Sequence, residues 1–261
     1  MKTIIHTWRV IATLVCSQVA ISFLFLSSVH GAESSAKPAK QMFADDVARL
    51  AAAPAPAPGG ILMVGSSIFG RWQSCTNDLA PLPVLNRAFG GSTVGHQLSF
   101  FDQIIPSSRA ALVVWYCGSN DVYSKETPEG IVNHTEKWVE RTRAALPQAH
   151  ILLVSVMRAP QKREVGLLAK VDEVNHGLVK LAASIPDVAY IDVNPAMETP
   201  AGAPVMACYG PDRLHLTPEG YRRMTSVLQP VMDKEWKASL AAQSPATHSP
   251  VDLKSQASIQ R

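Results

Sequence analysis

Short apolar runs punctuate the chain at residues 61–64, 84–85, 111–116, 151–156 and 188–191, separated by longer stretches of mixed polarity. Most of the runs are near-continuous aliphatic or β-branched segments, the pattern of strands buried on both faces of a parallel sheet. In the intervening segments 93–105, 127–146 and 164–185, apolar residues recur at helical spacing. The third carries Val165, Leu168, Val171, Val174, Leu178 and Leu181 as one stripe. Thr217-Pro218-Glu219 then opens a final helix, with Thr217 as N-cap and Pro218 at the first helical position. Strand–helix alternation of this kind predicts right-handed crossovers and a three-layer α/β/α sandwich around a five-stranded parallel sheet. Ligands of such sheets bind beyond the carboxyl ends of the strands.

The chain ends do not follow this pattern. Lys2 and Arg9 precede a largely apolar stretch at 10–26, and Val29 and Gly31 stand where an exporting peptidase reads before Ala32. Residues 1–31 are therefore expected to be a signal peptide, and the protein secreted or periplasmic. A single membrane anchor is the alternative, but Ser17, Gln18 and Ser22 interrupt the run. Lipid attachment at Cys16 is not expected, because no small residue precedes it. Residues 32–60 combine a short amphipathic helix around 42–52 with a Pro/Ala linker at 54–60. Residues 239–261, rich in Ser, Ala, Gln and Pro, are expected to form a disordered tail. The remaining 61–238 make one domain of about 180 residues, enough for a full hydrophobic core.

Loss of Lys2 and Arg9 with the signal would lower the formal charge from +3 to +1. A near-neutral chain offers no electrostatic case for nucleic acid or an anionic membrane as partner. A monomer with no stable membrane insertion after signal cleavage is expected. Beyond Cys16, the cysteines are Cys75, Cys117 and Cys208. Cys117 sits inside an apolar strand and reads as a buried thiol, whereas Cys75 and Cys208 lie in loops or element ends where a bridge between them could form. Their spacing has no metal-site pattern, and no metal or organic cofactor is expected.

The polar residues capable of chemistry follow the strands. The first run leads into Gly65-Ser66-Ser67, which places a hydroxyl at a helix start where backbone N–H groups are free to meet an oxyanion. Helix capping by the serines is the plainer reading of that motif alone. The second run leads into Gly90-Gly91-Ser92-Thr93, a tight turn or a close backbone approach to a ligand. The third leads into Gly118-Ser119-Asn120-Asp121, an ordinary turn or a neutral amide donor. After the fifth comes Asp212-Arg213-Leu214-His215, in which the carboxylate can fold onto the imidazole and fix its tautomer. His96, His134, His150 and His176 lack such spacing and are read as structural. Nucleophile, oriented base and oxyanion donors arriving at one sheet edge are the parts that acyl transfer needs.

These motifs, in this order, resemble the SGNH (GDSL) hydrolase family across residues 61–232. Segments 81–91 and 215–221 are especially similar to its branch of platelet-activating-factor acetylhydrolase-like proteins and carbohydrate acetylesterases. The resemblance implies a flavodoxin-like sandwich, with Ser67 as nucleophile, His215 as base and acid, and Asp212 orienting His215. It also implies an oxyanion hole made by the N–H groups of Ser67 and Gly91 and the side-chain amide of Asn120. No cofactor is implied. The family usually has Asp where this chain has Ser66.

The expected activity is hydrolysis of short acyl esters, acetyl above all, with a small ester or an acetylated carbohydrate as substrate. Trp72, Trp115 and Tyr116 lie near these motifs in sequence and could stack on a sugar, although core positions suit Trp115 and Tyr116 better. Two alternatives share the same residues: a lipase or lysophospholipase, and a non-catalytic protein that grips an acetylated glycan.

Overall fold

The computed structural model describes residues 39–54 and 57–243. The expected signal at 1–31 and the end of the expected tail, past residue 243, lie outside the described residues. The chain enters through α1 (Ala39–Ala52), β1 (Ile61–Gly65), α2 (Ser67–Gly70), α3 (Cys75–Asp78) and β2 (Val84–Asn86). It continues through α4 (Val94–Ser99), α5 (Phe101–Ile104), β3 (Leu112–Tyr116), α6 (Pro128–Ala145) and β4 (His150–Val154). The last elements are α7 (Pro160–Glu164), α8 (Leu168–Ser184), β5 (Val188–Ile191) and α9 (Pro218–Gln243).

The strands form one five-stranded parallel sheet in the order β2-β1-β3-β4-β5. The central strands β1 and β3 are buried at every position, which is why they read as unbroken apolar runs. Alternate residues serve opposite layers. Leu62, Val64, Val113 and Trp115 pack with Phe43 and Val47 of α1, and with apolar residues of α4, α5, α6 and α8. Ile61, Met63, Val114 and Tyr116 pack with α2, α3 and the Tyr221-Met224-Leu228-Met232 face of α9. The fold is thus the predicted α/β/α sandwich. Strand order reverses between β1 and β3, so the crevice at this switch point receives the segments after both strands.

Several local expectations need correction. The helix predicted over 93–105 is two short ones, broken near Ser99, whose hydroxyl donates to the Gly95 carbonyl and competes with the helix for that acceptor. Val165, counted in the third stripe, is exposed, and the helix starts at Leu168. Residues 239–243, assigned to a disordered tail, continue α9. Buried Ser239 secures that last turn by donating to the Gln148 carbonyl. The α1 helix, read as preceding the domain, buries Phe43 and Val47 in its core.

The Cys75–Cys208 bridge does not form; both cysteines, like Cys117, are buried free thiols. Cys75 opens α3 and Cys208 lies in a short 3₁₀ turn under α9, each enclosed by the apolar layer around it. Burial raises all three thiol pKa values, which keeps them protonated and inert. Among the described residues no helix is long and apolar enough to cross a membrane.

Candidate active site

The site begins where β1 leaves the sheet. Gly65 adopts φ +127°, and a Cβ there would fall 1.9 Å from the Tyr116 carbonyl oxygen of the neighbouring strand. Only glycine allows the chain to turn away at that point. Ser66 N–H donates to the same carbonyl at 2.8 Å, and Ser67 becomes the first residue of α2. The Ser66 side chain makes no cap hydrogen bond, so helix capping does not account for the paired serines. Ser66 is fully buried, whereas half-buried Ser67 faces the turn that precedes α9.

Ser67 Oγ lies 2.9 Å from His215 Nε2, and His215 Nδ1 lies 2.6 Å from Asp212 Oδ2. The other carboxylate oxygen, Oδ1, accepts the backbone N–H groups of Leu214 and His215 at 3.1 and 3.0 Å. This turn is closed by Gly210 N–H donating to the His215 carbonyl at 2.8 Å, with Arg213 in the left-handed region at φ +54°. Partial burial pushes the Asp212 pKa upward, but the hydrogen bonds from His215 and Leu214 outweigh it and hold the carboxyl at about 2. Asp212 is therefore anionic throughout the range in which proteins operate. Arg71 Nη1, 3.9 Å from Oδ2, adds a weak positive neighbour.

The segments after β2 and β3 close around the same point. Gly90 and Gly91 are exposed, and a Cβ on Gly90 would sit 3.7 Å from that of Ser67. Gly91 takes φ +78°, the left-handed conformation that leaves this turn lying against Ser67. Asn120 Nδ2 donates to Ser66 Oγ at 2.7 Å and to the Ser92 carbonyl at 2.8 Å. One amide thus ties the segments after three strands together. Gln97 reinforces this by donating to the Gly65 carbonyl and to Ser92 Oγ, both at 2.8 Å.

Next to it, Asp121 Oδ1 accepts Val94 N–H at 3.0 Å, while its buried Oδ2 has no partner among the described residues. Burial raises the Asp121 pKa to about 6, against the lowering effect of the Val94 N–H and its own backbone N–H. The folded state therefore prefers the protonated acid, and stability falls as pH rises from about 4 through 6. Asp121→Asn keeps an acceptor for Val94 and cannot ionise. It should stabilise the protein by about 1–3 kcal/mol at pH 8 and by almost nothing at pH 4. Denaturation midpoints at the two pH values measure this, and an equal effect at both would show that ionisation of Asp121 carries no penalty.

The structure gathers Ser67, Gly91, Asn120, Asp212 and His215 at the carboxyl edge of the sheet. It does not bring Trp72, Trp115 or Tyr116 to the surface. Trp72 stacks on Tyr221 at 5.0 Å, Trp115 on Trp138 at 3.8 Å, and Tyr116 lies 5.5 Å from Phe69. All three are core residues, since they point into the layers between sheet and helices. His96 closes a capping box with Thr93, His134 pairs with Glu126 and His150 with Glu235, in line with structural roles. Sequence reasoning passed over the bond from Asn120 to Ser66, the Gln97 brace and a buried lysine, Lys162. The last sits in the polar stretch Gln161-Lys162-Arg163-Glu164, which carries no sign of burial.

Residues 63–223 match the GDSL-like lipase/acylhydrolase family. No curated protein matches the sequence. Several solved structures share the fold. A Streptococcus pneumonia protein described as a platelet activating factor is 20% identical, with a TM-score of 0.65, over 74% of this chain and 92% of that one. A GDSL-like lipase from Bacteroides thetaiotaomicron is 21% identical, with a TM-score of 0.62, over 75% of this chain and 98% of that one. A carbohydrate esterase of family 3 from Talaromyces cellulolyticus is 14% identical, with a TM-score of 0.55, over 69% and 99%.

Proposed function

Because this chain belongs to the GDSL-like lipase/acylhydrolase family, whose members hydrolyse carboxylic esters, we propose that it removes short acyl groups, acetyl above all, by a serine mechanism. The observation that carries the reading is the continuous line Asp212–His215–Ser67, with contacts of 2.6 and 2.9 Å. His215 takes the proton of Ser67 as Oγ bonds to the ester carbonyl carbon. The carbonyl oxygen becomes an oxyanion facing the N–H groups of Ser67 and Gly91 and the Asn120 amide. Collapse breaks the ester C–O bond, and the imidazolium returns its proton to the departing alcohol. A water, deprotonated by the same imidazole, then attacks the acyl-enzyme and frees the acid and Ser67.

Both Asn120 hydrogens are already engaged, so its role as donor requires the bond to the Ser66 hydroxyl to be shared with the incoming oxygen. A hydroxyl can rotate and yield in this way, because it is neutral. Asn120→Ala should lower kcat about a hundred- to a thousand-fold with little change in KM. A steady-state rate near that of the parent would remove Asn120 from the hole.

Room for an alcohol half with both polar and apolar faces, such as a sugar, is offered by a cleft of about 480 Å³, lined by Arg71, Gln73, Asp78 and Arg222 together with Leu216, Pro218 and Tyr221. Action outside the cytoplasm is supported by the basic and apolar N-terminal segment. The three buried thiols would survive an oxidising compartment. Acetate release from acetylated xylan, pectin, chitin fragments and simple acyl esters of increasing length tests the substrate assignment. Faster turnover of long acyl chains would favour a lipase. No turnover, with no labelling of Ser67 by a serine-directed phosphonate, would leave a binding protein.

A further inference from the structure

Lys162 is fully buried, yet among the described residues it has no carboxylate partner. Its Nζ donates to the Ser119 carbonyl at 2.8 Å and to Ser119 Oγ at 3.1 Å. It also sits 4.1 Å from the centre of the Tyr123 ring. Burying an amine without a carboxylate is costly, and one more apolar side chain would fill this position at less expense. What the amine grips is the peptide that leads directly into Asn120.

The other side of α7 touches the turn that carries the triad. Gln161 N–H donates to the Arg213 carbonyl at 3.1 Å, and Arg213 is ion-paired with Glu164. Gln161 and Lys162 are consecutive, so one short helix holds the loop after β3 with one residue and the Asp212–His215 turn with the next. We propose that Lys162 is a positioning residue that sets the placement of the Asn120 amide relative to His215, acting through the Ser119 peptide. The proposal rests on the assignment of Asn120 as an oxyanion donor. It does not need a fixed charge on the amine. Burial draws the Lys162 pKa down to about 7, and the neutral form keeps two N–H groups for the two Ser119 acceptors.

The test is a double-mutant cycle in the full chain, with a short acyl ester such as 4-nitrophenyl acetate as substrate. Lys162→Met preserves length and apolar contact but removes every donor. Its kcat should fall about ten- to a hundred-fold, less than removal of the donor itself, with KM within about threefold. Its melting temperature should change little, because the cost of burying the amine is removed while the Ser119 carbonyl and hydroxyl lose their donor. In an Asn120→Ala background the same change should cost almost nothing further. If Lys162→Met does not fold, Lys162→Gln retains a donor on a shorter stem and should show a smaller loss with the same dependence on Asn120. A folded variant with parental kcat would overturn the proposal, as would a full multiplicative loss in the double mutant. Those outcomes differ from failure of the underlying reading, in which Asn120→Ala alone would be silent.

Discussion

Ser67→Ala is expected to abolish ester hydrolysis, with a fall in kcat on the order of 10⁶-fold, the scale seen when a triad nucleophile is removed. The adjacent serine cannot substitute. Ser66 Oγ is fully buried, opposite the Asn120 amide, while Ser67 Oγ is the hydroxyl within reach of His215. Ser66→Ala deletes one acceptor of Asn120 and leaves the nucleophile and base in contact, so it should cost about tenfold or less, the range of one modest hydrogen bond. Initial rates for the two variants, with phosphonate labelling followed by peptide mass spectrometry, separate the roles. A large loss in Ser66→Ala with an active Ser67→Ala would show that Ser66, not Ser67, is the nucleophile. Slow hydrolysis surviving in Ser67→Ala would reflect the oxyanion donors alone, which still accelerate reaction above the rate in water.

Asp212→Asn should be the second most damaging change, lowering kcat about 10⁴-fold while leaving the fold intact. Two N–H groups, those of Leu214 and His215, hold Oδ1, and the oxygen of an asparagine would keep both. The amide nitrogen would then occupy the place of Oδ2, 2.6 Å from His215 Nδ1. A donor at that point forces Nδ1 to accept, which puts the ring proton on Nε2 facing Ser67. The imidazole then has no lone pair for the serine proton. The effect is thus one of tautomer, and it predicts an unchanged melting profile with a collapsed kcat. A loss of less than tenfold would show that Asp212 does not orient the base.

The parts of this site that were legible in the sequence are those held by local geometry. Asp212 and His215 are three residues apart and meet within one turn, so their spacing alone brings carboxylate to imidazole. The sheet was legible for a related reason: strands such as 61–64 and 111–116 are buried on both faces and tolerate few polar residues. Helix breaks were less so, because a hydroxyl at Ser99 or an exposed Val165 changes little in the apolar pattern.

Taken by itself, the sequence determined the layer architecture, the strand-end positions of the polar motifs and the local Asp212–His215 pair. All of these depend on residues near one another in the chain or on the simple exclusion of water. Tertiary structure decided the rest. It brought Ser67 to His215 across 148 positions and paired Asn120 with Ser66 across 54. It also kept Cys75 and Cys208 apart, sent Trp72 into the core, and buried Lys162 under the loop that carries Asn120. Such contacts arise only when separate strands are brought side by side, and they depend on crossovers whose lengths and packing no single segment encodes.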